Sequence, residues 1–394
     1  MTDGGRRLLT CGGLVCLLVA VGWAFDGHYR FFDMAIYQGA VRWWADGGDL
    51  YSYQAPVRGG LGFTYPPFAA VVLLPSALIP VRVAGWLITV VSLLALAAAL
   101  WALADLLGLR HRRGRHAVPA LIFVAALATE PVRQNLGLGQ VNLLLFALVV
   151  LDLAVLGRAG SRWTGIGVGL ATAVKLTPGL FIVYLLVTRQ WRAAATAAVT
   201  AAALTAATCP IAPRETMQYF GRLVWQTGRV GAADAVANQS LSGLLARLSE
   251  SHAAPRHWWL ALCAAAVVAG LRRAASAHAA GDEVTALTVT GLVANLITPI
   301  AWTHHLVFLP VALVVLARSP RVRDTVAAAA CYALSVVSPI WWVGDRGGGW
   351  LPFLAADTFV LMTIFLVWRL PIRPRQLAGG PAAPRRTGVA VPPG

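Results

Sequence analysis

The first candidate for chemistry is an acidic residue in an apolar setting. Asp33 stands in the stretch FFDMAIY, between phenylalanines and an apolar run. A carboxylate in such a place can accept a proton from a hydroxyl group, which is the work of a general base. Aspartate is also a preferred N-cap residue, so Asp33 could instead begin a helix over residues 34–46. The sequence alone leaves both roles open.

A pair of histidines is the second candidate. His304 and His305 end the stretch TPIAWTHH, two residues after Trp302. Neighbouring residues on a helix point about 100° apart, which suits a shared metal ion poorly, so we predict no metal site. An imidazole can instead donate a hydrogen bond to a phosphate or exchange a proton. The alternative is a polar pair that marks the end of a membrane span.

The third candidate is a cation within an apolar run. Lys175 lies in AVKLTPG, where Pro178 should break a helix. A charge inside a membrane segment is costly and is typical of functional sites. The ammonium could face an anionic ligand, or it could extend to the membrane surface.

Three further stretches carry polar or aromatic groups. Asn238 and Gln239 open NQSLSG, whose side chains could bind a sugar or cap a helix. Tyr65 lies in FTYPPF, either a rigid elbow or a sugar platform. Arg133 begins RQNLGLGQVN, whose glycines permit a tight re-entrant bend.

The elements that position these residues are predicted to be membrane helices. Of the 394 residues, 58% are hydrophobic and 12% are charged, whereas soluble domains have about a quarter charged. A helix needs about 20 apolar residues to span a bilayer, and continuous apolar runs near this length recur along the chain. These runs are predicted to be helices. The predicted fold class is therefore all-α, a polytopic integral membrane protein with about 12 transmembrane helices. We expect a single transmembrane domain over 1–370 and a disordered cytoplasmic tail over 371–394.

The connections give the predicted topology. Two long loops, 26–65 and 213–256, each contain an amphipathic helix (34–46 and 215–227) and are expected on the extracytoplasmic side. The net charge of +16 comes largely from arginines in short loops and the tail, as the positive-inside rule predicts. We therefore expect contact with bilayer lipids and none with nucleic acid. No obligate protein partner is evident.

The topology of residues 66–190 has two solutions. If 66–81 crosses the membrane as a separate span, the arginine-rich HRRGRH segment falls outside, against the charge rule. If 66–81 is re-entrant, that segment falls inside. The second solution requires the apolar segment 163–187 to break near Lys175–Pro178.

The ordered set of motifs resembles a known enzyme family. FFDMAIYQGA, TYPPF, LGLGQVNLLL, AVKLTP, NQSLSG and TPIAWTHH are similar to glycosyltransferase family 87 of the GT-C superfamily. The resemblance implies a polyprenol-phosphate-mannose-dependent α-(1→2)-mannosyltransferase of the bacterial plasma membrane, with its active site facing the periplasm. It implies a lipid-linked mannose donor, a phosphatidylinositol mannoside acceptor and no cofactor.

The same resemblance implies residue roles. Asp33 would be the catalytic base, and His304 or His305 would lie near the donor phosphate. The implied substrate-binding residues are Tyr37, Tyr65, Arg133, Lys175, Asn238, Gln239 and Trp302. Alternatives are a cell-envelope arabinofuranosyltransferase, a lipomannan-branching transferase, or a membrane transporter or flippase without chemistry.

Overall fold

The fold is helical throughout the part of the chain that the computed structural model describes, residues 29–56, 61–109, 116–343 and 349–373. An isolated β-bridge joins Asn238 to Trp302. The α-helices of this part are α1 (Phe32–Ala45), α2 (Pro67–Leu73), α3 (Val81–Leu106), α4 (Ala117–Ala128), α5 (Glu130–Leu138), α6 (Asn142–Leu151), α7 (Ile166–Val174), α8 (Leu180–Val187), α9 (Trp191–Thr208), α10 (Pro213–Gly221), α11 (Leu241–Leu248), α12 (Arg256–Ala279), α13 (Glu283–Ile297), α14 (Leu309–Ala317), α15 (Val322–Val337), α16 (Trp350–Ala356) and α17 (Thr358–Arg369). The predicted first helix at 8–25 and nearly all of the predicted tail lie outside the described residues.

Few of these helices are long enough to cross a bilayer alone. In the described part, α3 and α12 have both the length and the apolar composition for a span. The bent pairs α5 with α6 and α16 with α17 would raise the number to four if each were one span. The all-helical fold is thus confirmed for the described residues, while the expected number of about 12 crossings stays a prediction.

The segment that follows Tyr65 packs along α1. Helix α2 continues into a 3₁₀ turn, Leu74–Leu78. Gln38 of α1 donates to the carbonyls of Ser76 and Ile79, at 2.6 and 3.0 Å. At the other end of the segment, the Tyr65 hydroxyl lies 2.9 Å from that of Tyr37 on α1. Both ends of the segment therefore contact one helix, which favours the re-entrant solution.

The chain also breaks where the re-entrant solution requires it. Helix α7 ends at Val174, and Lys175 is extended, with φ −150° and ψ 130°. A 3₁₀ turn over Thr177–Gly179 then leads into α8. Proline cannot donate the helical hydrogen bond at this point, so Pro178 belongs in the turn and not in a continuous helix.

One end of the helix bundle is rich in arginine, and we call it the basic end. Helix α6 and the π turn that continues it to Leu156 run about 22 Å from Asn142 toward this end. There, Arg318 donates to the Leu107 carbonyl at 2.9 Å, and Arg158 lies 3.5 Å from Asp105. Its arginines include Arg158, Arg192, Arg318, Arg321, Arg323 and Arg369.

A buried ion pair holds α11 against α17. Arg247 donates to Oδ1 of Asp357 at 2.5 and 3.0 Å, and these side chains are 7% and 0% exposed. Arg247 also donates to the carbonyls of Ala235 and Asn238. The pair thereby fixes the polar segment that precedes α11.

We expect Arg247→Met to lower the free energy of unfolding by about 3–5 kcal/mol, because it leaves Asp357 buried without a counter-charge. Arg214→Met is the control, since Arg214 is 77% exposed and lies 3.6 Å from Asp49. Loss of this exposed ion pair should lower the free energy of unfolding by about 1 kcal/mol or less. Thermal unfolding of both variants in the same detergent measures the difference, and equal stabilities would contradict the assignment.

Candidate active site

A cavity of about 1320 Å³ opens at the end of the bundle away from the basic end. Its polar wall includes Asp33, Tyr37, Tyr65, Glu130, Arg133, Gln140, Lys175, Trp302, His304 and His305. Its apolar wall includes Leu176, Leu180, Val183, Val224 and Ile297. The cavity therefore joins a group of ionisable side chains to a surface that suits a hydrocarbon chain.

The start of α1 fixes Asp33 on the cavity wall. Phe31, which precedes the helix, has a positive φ of 53° and is buried, with its ring against the backbone of Gly85 in α3. A side chain at position 85 would collide with that ring, because an added Cβ would lie 2.3 Å from it. Phe31 is also the N-cap, without a side-chain cap bond. The alternative that Asp33 caps the helix is therefore wrong.

The carboxylate of Asp33 is held by a buried amide. Gln140 Nε2 donates to Asp33 Oδ2 at 2.7 Å and to the Tyr37 hydroxyl at 2.8 Å. The Tyr65 hydroxyl donates to Gln140 Oε1 at 3.0 Å. Each side chain of this set has a partner that fixes its orientation, which makes the carboxylate a positioned group and not a mobile one.

Asp33 has the acid–base property that a general base needs. Helix α1 lies outside the membrane-spanning segments, and burial raises the pKa of Asp33 to about 6. The hydrogen bond from Gln140 and the positive charge of Lys175 oppose this rise. The carboxylate is thus mostly ionised at neutral pH, yet it is basic enough to accept a proton from a polarised hydroxyl.

Lysine and arginine together number 32 in the sequence, and Lys175 is the only lysine among them. Its ammonium donates to Asn142 Oδ1 at 2.8 Å and lies 2.9 Å from His305 Nε2. It also stands 5.1 Å from the centroid of the Tyr65 ring, a cation–π contact. An ammonium has three N–H donors, so one remains for an anion in the cavity.

The two histidines differ in their bonding. His305 Nε2 lies 2.9 Å from the ammonium of Lys175, which can only donate, so Nε2 accepts and the ring proton is on Nδ1. His304 is buried, and neither of its ring nitrogens has a hydrogen-bond partner among the residues that the structure describes. Both rings line the cavity. His304 therefore keeps one donor and one acceptor that no described residue engages, and both nitrogens are shielded from solvent.

Arg133 lines the cavity but is already paired. Its guanidinium lies 2.6 Å from Glu130 Oε2 and donates to the carbonyls of Ala128 and Val336. Glu130 also accepts from the indole of Trp341 at 2.8 Å. The cluster joins α5 to the segment after α15. Its net charge is near zero, so Lys175 carries the stronger positive charge toward a ligand.

Asn238 and Gln239 lie behind the cavity wall. Both are fully buried and bond to the protein backbone. Gln239 donates to the carbonyls of Val236 and Ala356 and accepts from the amides of Phe359 and Val360, at the start of α17. Their predicted contact with substrate stays a prediction, but the geometry gives them a structural role. Trp302 does line the cavity.

The sequence motifs contained site residues that were not singled out. Gln140, Asn142 and Glu130 all lie within or beside the RQNLGLGQVN stretch. Arg229, stacked 5.5 Å over the Tyr51 ring, also lines the cavity. The sequence feature that could have identified Gln140, Asn142 and Glu130 is the concentration of polar side chains beside a glycine bend. Among the described residues, no three His, Cys, Asp or Glu side chains come together as a metal site.

Comparison with known proteins identifies the family. The sequence profile of glycosyltransferase family 87 matches residues 63–299. A polyprenol-phosphate-mannose-dependent alpha-(1-2)-phosphatidylinositol mannoside mannosyltransferase of Mycobacterium tuberculosis is 34% identical over 361 residues, covering 86% of this chain and 83% of the relative. The protein of the same description from Mycolicibacterium smegmatis is 31% identical, covering 85% and 80%.

Two further proteins are less similar to this chain. An alpha-(1->3)-arabinofuranosyltransferase of Mycobacterium tuberculosis is 29% identical over 163 residues, 41% of this chain and 37% of the relative. The crystal structure of ArnT from Cupriavidus metallidurans bound to undecaprenyl phosphate matches with a TM-score of 0.37 at 17% identity, covering 91% of this chain and 76% of that one. On the profile match and the two long alignments, the chain belongs to glycosyltransferase family 87.

Proposed function

We propose that this enzyme transfers mannose from polyprenol-phosphate-mannose to a hydroxyl of a phosphatidylinositol mannoside, forming an α-(1→2) linkage. The observation that carries the proposal is the placement of a positioned carboxylate, Asp33, and an unshared ammonium donor, Lys175, on one cavity with an apolar wall. The names of the two relatives with long alignments supply the sugar, the donor and the acceptor class.

The proposed mechanism is a single displacement with inversion. Asp33 accepts the proton of the acceptor hydroxyl as its oxygen attacks the anomeric carbon of a β-mannosyl phosphate. The bond from the anomeric carbon to the phosphate oxygen breaks, and the polyprenyl phosphate leaves with its own negative charge. Lys175 and His304 would donate to that phosphate, so no general acid is required. The three residues named for this step line one cavity.

The apolar wall suits the lipid tail of the donor. Leu176 directly follows Lys175, and Leu180 and Val183 lie farther along the chain on α8. Val183 is 40% exposed. A phosphate held at Lys175 could therefore extend its chain toward the bilayer. This arrangement also requires the site to lie near a membrane surface.

The arrangement of charge supports an extracytoplasmic site. The basic end carries the arginines of the short loops, and such residues concentrate on the cytoplasmic side of membrane proteins. The cavity lies at the other end of the bundle. We therefore infer that the cavity faces the periplasmic side of the plasma membrane.

The direct test compares Asp33→Asn with wild type in proteoliposomes supplied with radiolabelled polyprenol-phosphate-mannose and phosphatidylinositol mannoside. Loss of the base should lower kcat by about 10²–10⁴-fold. Asp46→Asn, at the exposed end of the same helix, is the matched control and should retain the wild-type rate. A wild-type rate in Asp33→Asn would remove the proposed role.

The partial similarity to an arabinofuranosyltransferase defines the second candidate. The same proteoliposomes are therefore supplied with a polyprenol-phosphate-arabinofuranose donor. Transfer of arabinose without transfer of mannose would favour that activity and overturn the proposed donor. Activity with neither donor would favour a function without group transfer.

Lys175→Met should lower kcat by about 10²–10³-fold, because an electrostatic donor to the leaving phosphate is lost. Arg192→Met removes an equal charge at the basic end, where Arg192 is exposed and donates to the Ser161 carbonyl. We expect that control to stay within about threefold of wild type, in line with its distance from the cavity. Equal losses would mean that net charge, and not the position of Lys175, sets the rate.

A further inference from the structure

Two buried amides stand between the base and the cation. Gln140 Nε2 donates to Asp33 Oδ2 at 2.7 Å, and Asn142 Oδ1 accepts from Lys175 Nζ at 2.8 Å. Asn142 Nδ2 points to Gln140 Oε1 at 3.4 Å. We call Gln140 and Asn142 the amide bridge. Both side chains are at least 95% buried.

The charged groups dictate which way each amide points. A carboxylate only accepts hydrogen bonds, so Gln140 must present its NH₂ group to Asp33. An ammonium only donates, so Asn142 must present its oxygen to Lys175. The remaining ends, Gln140 Oε1 and Asn142 Nδ2, are an acceptor and a donor that face each other. The bridge therefore has one consistent orientation from the carboxylate to the ammonium.

The bridge replaces a direct ion pair. Among the described residues, no ion pair within 4 Å joins Asp33 to Lys175, although the two interact electrostatically. A direct pair would occupy the lone pairs of the carboxylate and the donors of the ammonium. Within the described part of the chain, only Oδ2 of Asp33 is hydrogen-bonded. Oδ1 is thus left for the acceptor hydroxyl.

We propose that Gln140 is a positioning residue for the transfer reaction. Together with Asn142 it keeps the Asp33 carboxylate and the Lys175 ammonium apart. The carboxylate then serves the acceptor hydroxyl, and the ammonium serves the donor phosphate. The proposal rests on the proposed function. Gln140 acts through Asp33, because its own polar atoms are all engaged by protein groups.

Other groups around Asp33 must be considered in any pH experiment. Lys175 acts from the break between α7 and α8, and Tyr37 and Tyr65 share the Gln140 amide. The remaining ionisable groups on the cavity wall are Tyr29, Glu130, Arg133, Tyr219, Arg229, His304 and His305. Within the described residues, Gln140 makes no hydrogen bond to this last set, so among the ionisable groups its replacement acts directly on Asp33, Tyr37 and Tyr65.

The test is the pH dependence of kcat for Gln140→Leu beside wild type, with phosphatidylinositol mannoside as acceptor and polyprenol-phosphate-mannose as donor. Removal of a donor to the carboxylate should move the acid limb of the profile upward by about one to two pH units. That shift lowers the ionised fraction of Asp33 at pH 7, so we expect kcat there to fall by about 2- to 10-fold, while the KM for the donor stays within about twofold.

Gln134→Leu is the matched control, since Gln134 is also a buried amide of the same segment but bonds to Glu130 and Thr303. Its acid limb should coincide with that of wild type. If the limbs of Gln140→Leu and wild type coincide, or if the donor KM alone changes, the positioning role is wrong. Absence of mannose transfer by wild type would instead overturn the proposed function, so the two failures are distinguishable.

Gln140→Glu is the isosteric second variant if Gln140→Leu does not fold. A second carboxyl group beside Asp33 would share one proton with it and make the pair harder to ionise fully. Activity should then return only at higher pH than in wild type. A wild-type profile for Gln140→Glu would overturn the proposal.

Discussion

The site depends on holding two opposite charges in one cavity without letting them pair. Asp33 and Lys175 would attract each other strongly in a partly buried space, and a direct contact would leave neither free for a substrate. The amide bridge prevents that contact with two hydrogen-bonded side chains. The cation–π contact with Tyr65 and the bond to His305 hold the ammonium from its other sides.

The breaks in the helices serve this arrangement. Non-helical backbone is tolerated at membrane depth only where it is buried in protein or lines a cavity. Lys175 lies at the break between α7 and α8, Gln140 at the turn between α5 and α6, and His305 in the 3₁₀ turn after α13. Gly139, with φ of 73°, permits the middle turn. These three breaks therefore bring polar side chains to the cavity wall.

Part of this was predictable from residue types. A lone carboxylate and a lone lysine in apolar surroundings indicate function because burying a charge is costly, and both line the cavity. Amides carry no such signal: Gln140 engages the base, whereas Gln239 bonds only to backbone groups around the start of α17 and near Val236. Periodicity could not distinguish them, since partners far apart in sequence decide the role of an amide. Residue types also could not determine the number of membrane crossings, because apolar runs do not reveal where a helix bends.

The most direct test of the central claim is the pH dependence of mannosyl transfer by the wild-type enzyme in single turnovers. Burial raises the pKa of Asp33 to about 6, and a general base acts only when it is deprotonated. The rate should therefore fall tenfold per pH unit well below pH 6, with a one-proton midpoint near that value. A rate that stays constant down to pH 4.5 or so would contradict a base of this pKa and remove Asp33 from the proton transfer.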